Sequence, residues 1–148
     1  MQTRHKVGHW IALSGLIALL SPGAQGSAVS GNADLICTSE DIVACADGQC
    51  MQGGAETFGM PHFMLIDVDE KTVSAIDEDG SIVTSPVQSA EVTEQSVVLQ
   101  GIENHRGWTL GIKREDGGLT MSATGPDVSF IVFGNCSERQ GGDSNEAQ

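Results

Sequence analysis

Met60-Pro61-His62-Phe63-Met64 is the segment whose residue types best suit a transition metal. In an extended chain alternate side chains share a face, so Met60, His62 and Met64 would converge. Two thioethers and an imidazole are ligands that suit Cu(I). The competing assignment is structural. Met64 continues an apolar face with Ile66 and Val68, and methionine is a common core filler. Two acidic turns, Asp67-x-Asp69-Glu70 and Asp77-Glu78-Asp79-Gly80, offer the carboxylate oxygens that calcium takes. They lack the calcium-loop signature, because Gly80 stands fourth from Asp77 instead of sixth and strand patterns flank it in place of helices. They read as solvated hairpin turns.

Hydrolytic chemistry needs a base held beside a nucleophile. Beyond residue 26 the chain has two histidines, His62 and His105, and no Gly-x-Ser-x-Gly elbow. His105 falls in Glu103-Asn104-His105-Arg106-Gly107, which reads as a hairpin loop. The glycine pairs Gly53-Gly54, Gly117-Gly118 and Gly141-Gly142 open no helix pattern, so they make no phosphate loop. No cofactor is implied. Trp108 on a strand reads as core. Beside Arg106 it also has a binding-face reading, since Trp and Arg are enriched at interface hot spots.

Cys37, Cys45, Cys50 and Cys136 are separated by spacings that match neither zinc knuckles nor a Cys-x-x-Cys redox site. An even count in an exported chain reads as two disulfides. Of the three connectivities, Cys45–Cys50 with Cys37–Cys136 is preferred. Ala46-Asp47-Gly48-Gln49 is turn chemistry that closes the first pair, and the second pair ties the first folded segment to the last strand.

The elements that must position these residues follow from the rest of the chain. Arg4 and Lys6 precede the apolar stretch Trp10–Leu20, Ser21-Pro22-Gly23 ends it, and Ala24-Gln25-Gly26 is a small-x-small cleavage pattern. Residues 1–26 therefore read as a secretory signal, too short in its apolar part to span about 30 Å of hydrocarbon. No stable membrane insertion is expected after cleavage. The full chain carries 7 basic and 20 acidic residues among 148, a net charge of −13. Removing the signal leaves 148 − 26 = 122 residues with 5 basic and 20 acidic side chains, or −15. That balance argues against a nucleic-acid partner, because duplex affinity comes mostly from Lys and Arg on phosphates. It favours a cationic protein or a small cation.

From Phe63 onward, short runs of period near two alternate with turn clusters such as Asp77-Glu78-Asp79-Gly80 and Glu115-Asp116-Gly117-Gly118. The runs are Phe63–Val68, Thr72–Ile76, Ser81–Thr84, Val87–Thr93, Ser96–Ile102, Trp108–Lys113, Leu119–Ala123 and Val128–Phe133. Cys37–Cys50 reads as a short strand or a helical turn capped at Ser39-Glu40-Asp41, and Met51–Met60 reads as a loop. The expectation is an all-β protein: one small antiparallel meander of about eight strands over residues 27–139, forming a disulfide-stapled barrel or strongly curved sheet. A two-sheet sandwich is the runner-up, and residues 140–148 read as a disordered acidic tail. The functional expectation is a non-enzymatic exported binding or interaction domain of the periplasm or extracellular space. Copper binding through Met60, His62 and Met64 is the first alternative, and a small hydrolase using His62 or His105 is the second.

Overall fold

The computed structural model describes residues 26–77 and 79–139. The expected signal, apart from Gly26, and the expected tail at 140–148 lie outside the described residues. Ten strands and one helical turn follow in the order β1 (Leu35–Ala46), β2 (Gln49–Gly53), α1 (Ala55–Phe58), β3 (Phe63–Asp67), β4 (Thr72–Ile76), β5 (Ile82–Pro86), β6 (Ser89–Val92), β7 (Ser96–Glu103), β8 (Arg106–Lys113), β9 (Gly118–Thr124) and β10 (Val128–Glu138). They form a single antiparallel sheet, ordered β5-β4-β3-β1-β10-β9-β8-β7-β6, with β2 paired to β1. The sheet is curled into a half-barrel.

Alternation dictates which face turns inward. In β8, Trp108, Leu110 and Ile112 are buried while Thr109 and Gly111 between them are only half-buried. Two-residue turns supply part of the twist. Asp47 and Gly48 join β1 to β2 with φ of 52° and 75°, and Asn104 and His105 join β7 to β8 with φ of 45° and 65°. Two consecutive positive φ angles mark the primed turn whose twist matches that of the flanking strands.

The strand pattern from Phe63 onward is present as read, but the start of the chain is richer than its sequence suggests. Cys37–Cys50 holds most of β1 and the start of β2, with no helical turn at Ser39-Glu40-Asp41. A β-bulge lies there instead, where the β1–β10 register shifts between Ser39 and Asp41. One extra residue flips the inward parity. Leu35 and Cys37 point inward before it, and Ile42 points inward after it. Met51–Met60 is likewise more than a loop, since it contains the end of β2, all of α1 and the left-handed Gly59 that ends the helix.

Two cross-strand bridges staple β1. Cys37 faces Cys136 of β10 (S–S 2.06 Å), and Cys45 faces Cys50 of β2 (S–S 2.02 Å). The first is fully buried in the main core with Leu35, Met64, Ile66, Leu99, Leu110 and Ile112. The segment before β1 plugs one end of the half-barrel. Val29 is buried, its N–H donates to the Arg114 carbonyl (2.9 Å), and the Ser30 N–H donates to Glu138 (2.6 Å).

The end strands β5 and β6 follow one another in sequence, separated only by Val87-Gln88. No ladder joins β5 to β7, yet the chain stitches that seam. Val87 N–H donates to the Lys71 carbonyl and Gln88 N–H to the Gln100 carbonyl, each at 2.8 Å, and the buried Ser85 hydroxyl donates to Glu103. Among the described residues no helix is long and apolar enough to cross a membrane.

Two outcomes test this arrangement. The Cys37–Cys136 bridge closes a separation of 99 residues and Cys45–Cys50 one of 5. Chain entropy assigns them about 5 and about 2 kcal/mol. Denaturant titration of Cys37→Ala/Cys136→Ala should show the larger loss, and a mild thiol should reduce the exposed hairpin bridge first. The second outcome concerns acid. Hydrogen bonds from Ser30, side chain first and then backbone, hold the exposed Glu138 carboxyl below the ordinary 4.5. A lowered folded pKa contributes stability that is present above 4.5 and lost as pH falls through the folded value. An acid-active protease should therefore cut the Ser27–Gly31 segment increasingly below pH 4.5, with the profile flattened in Glu138→Gln.

Candidate functional site

Cross-strand registers arrange the inward side chains in rows. One row runs Leu99, Leu110, Met121, Val132 and Ile42, with a large apolar side chain at every position. The next runs Gly101, Trp108, Ala123, Phe130 and Ala44. It interleaves two aromatic side chains with glycine and alanine. Across the curl, Ala75 stands opposite Met64 and Val83. A row built partly of Gly and Ala cannot fill a half-barrel that rows of Leu, Ile and Val fill elsewhere. The result is a cup of about 530 Å³, walled by Met64, Ala75, Val83, Trp108, Met121 and Phe130. The last residue of α1, Phe58, and the turn after it, Gly59-Met60-Pro61, form part of its lip.

Polar side chains gather at the mouth. Asp77, Glu103, Asn104 and Arg106 all line it. Glu103 and Arg106 are directly opposed across the β7–β8 turn, and Arg106 lies over the Phe130 ring at 6.0 Å from its centroid. Among the described residues Arg106 makes no salt bridge. Inside the wall one polar atom stands alone. Trp108 is 6% exposed and its Nε1–H, itself closed off from solvent, has no acceptor among the described residues. A buried donor without a partner costs about 1–3 kcal/mol. Gly101 makes room for this indole, since a Cβ there would collide with the ring.

The sequence-derived metal residues are divided. Met60 and Met64 line the same cup, whereas His62 does not and lies 3.6 Å from Glu56 of α1. The alternation that would align all three requires a strand from residue 60, but β3 starts at Phe63. Among the described residues no three His, Cys, Asp or Glu side chains gather to hold a metal ion. His105 is exposed on the β7–β8 turn. Among the described residues neither imidazole hydrogen-bonds to a serine or threonine hydroxyl, and every cysteine is bridged.

A larger groove of about 830 Å³ lies at the opposite end of β8, between the plugging segment and Glu94–Ser96. Its cations are already engaged. The Lys113 ammonium donates to Asp116 at 2.8 Å and lies 3.2 Å from Glu115. The hydrogen bond to Asp116 is the main cause that raises its pKa, and the same bond lowers that of Asp116. Arg114 donates to the Val29 and Thr93 carbonyls. The cup, apolar in its wall and with Arg106 free of salt bridges among the described residues at its mouth, is the better candidate.

The sequence marks Trp108 and Arg106 but not the alanines, which become informative only once registers align them. No protein-family model matches the chain, and no curated protein matches it. Gly101→Ala should displace the indole toward the cup. Overpacking of this kind costs about 1–3 kcal/mol in denaturant unfolding, and the Trp108 fluorescence maximum should shift with it.

Proposed function

We propose that this chain is an exported binding protein without catalytic activity, and that its half-barrel cup receives a small apolar ligand. The observation that carries the reading is the cup itself, an apolar concavity with a few convergent polar groups at its mouth. That is the common form of a small-molecule site, and its volume falls within the usual range of about 300–1,000 Å³. Two disulfides in a chain with an export-type start support an oxidising compartment, periplasmic or extracellular. Among the described residues no serine or threonine hydroxyl is hydrogen-bonded to an imidazole, which supports binding over hydrolysis. The carboxylate excess supports cationic partners at the outer surface, where acidic side chains such as Asp47, Asp69, Glu70 and Glu115 stand at the turns.

A neutral environment-sensitive naphthalene dye should bind with one-to-one stoichiometry and brighten. Ala75→Phe and Ala123→Phe, which place rings in the cup, should each weaken it at least about tenfold, a change of about 1.4 kcal/mol. Their circular dichroism should match that of the parent. Undiminished binding by both variants would refute the cup as the site.

A further inference from the structure

Charge at the mouth of the cup is unbalanced. Asp77 and Glu103 line it half-buried, whereas Arg106, the one cation lining it, is exposed. Among the described residues neither carboxylate makes a salt bridge. Each accepts instead from a serine hydroxyl, Asp77 from Ser81 at 3.1 Å and Glu103 from Ser85. A hydroxyl fixes a carboxylate in place but leaves its charge uncompensated, and burying a charge is costly unless it is paired. Arg106 does not supply the pairing. Its guanidinium lies over the Phe130 ring, 6.0 Å from the centroid, and makes no salt bridge although Glu103 is its partner in register.

We infer, resting on the reading of the cup as a ligand site, that the ligand is an apolar molecule with one cationic head, an amine or ammonium group held at the mouth by Asp77 and Glu103. The wall of Met64, Val83, Met121 and Phe130 takes the body of the molecule, and the mouth sets the sign of its head. An anionic head would add a third negative charge to a mouth that holds two against one. The field of the whole chain acts in the same sense, because a net charge of −13 draws cations in and turns anions away.

Naphthylmethylammonium, ethylnaphthalene and naphthoate share a ring system and nearly a size, and they are cationic, neutral and anionic in turn. Displacement of the neutral naphthalene dye from the full chain ranks them. The cationic probe should bind about tenfold tighter than the neutral one, with naphthoate weakest. Asp77→Asn/Glu103→Gln should bring the cationic and neutral probes within about twofold of each other while leaving ethylnaphthalene affinity unchanged. Asp69→Asn/Glu70→Gln removes the same charge from the turn at the other end of β4 and should keep the preference. If the mouth variant fails to fold, Asp77→Asn alone, which leaves the Ser85–Glu103 hydrogen bond in place, should reduce the preference about threefold. Equal binding of the cationic and neutral probes, tightest binding by naphthoate, displacement by none of the three, or a preference that falls equally in the two double variants would overturn the cationic head and leave the cup standing. A dye that does not bind, or dye binding that survives Ala75→Phe and Ala123→Phe, would overturn the cup itself.

Discussion

β1 is the strand on which the rest of the sheet is hung. It pairs with β10 along its whole length, and its other edge is divided between β3 at Leu35–Thr38 and β2 at Ile42–Ala46. One edge can serve two partners because the bulge at Ser39–Asp41 falls between them. The bulge also exchanges the inward parity, so that both Cys37 and Ile42 are buried on the same side of the sheet. A regular strand would turn one of them to solvent, and a one-residue slip moves an entire apolar set to the wrong face. Gly134 lies opposite Ser39, where a Cβ would collide with the Thr38 carbonyl, so the partner strand is fitted to the bulge as well.

The two bridges act on this same strand in different ways. Cys37–Cys136 fixes the seam between the first and last strands from inside the core, where both cysteines are buried. Cys45–Cys50 clamps a hairpin whose Asp-Gly turn already favours closure. At the far edges, curvature replaces covalent closure. β5 passes into β6 through Val87-Gln88, and Ser85 donating to Glu103 draws β5 toward β7 without a ladder. The half-barrel keeps its concave face apolar, and it leaves one end open because only the other is plugged by Val29.

The open end is where apolar packing is left incomplete. Filling the cup with leucine or isoleucine at positions 75 and 123 would bury more apolar surface, at roughly 25 cal/mol per Å². The chain places Ala75 and Ala123 there instead, beside an indole whose N–H has no partner among the described residues. Local departures from good packing and full hydrogen bonding concentrate at functional sites. The acidity of the chain is a separate matter. Its carboxylates stand largely at turns, where they keep the exposed ends of a β sheet solvated, while the cup mouth mixes both signs.

How much of this could be read from the sequence follows from the range of each interaction. Strands β3 to β10 are legible because alternation and turn residues are local: Trp108, Leu110 and Ile112 announce one face without reference to any other segment. The acidity and the even cysteine count are likewise properties of the sequence alone. β1 is not legible, because a bulge breaks period two in the middle of Leu35–Ala46, and its pairing partner β10 lies about a hundred residues away. His62 shows the limit from the other side. Its spacing to Met60 and Met64 suggests a shared face, but only the start of β3 at Phe63 and the helical turn carrying Glu56 decide where the imidazole goes. The cup belongs wholly to tertiary structure. Ala75 and Ala123 are unremarkable on their own strands, and they make a cavity only because register and curvature bring them around Trp108, a coincidence of distant segments that no local pattern encodes.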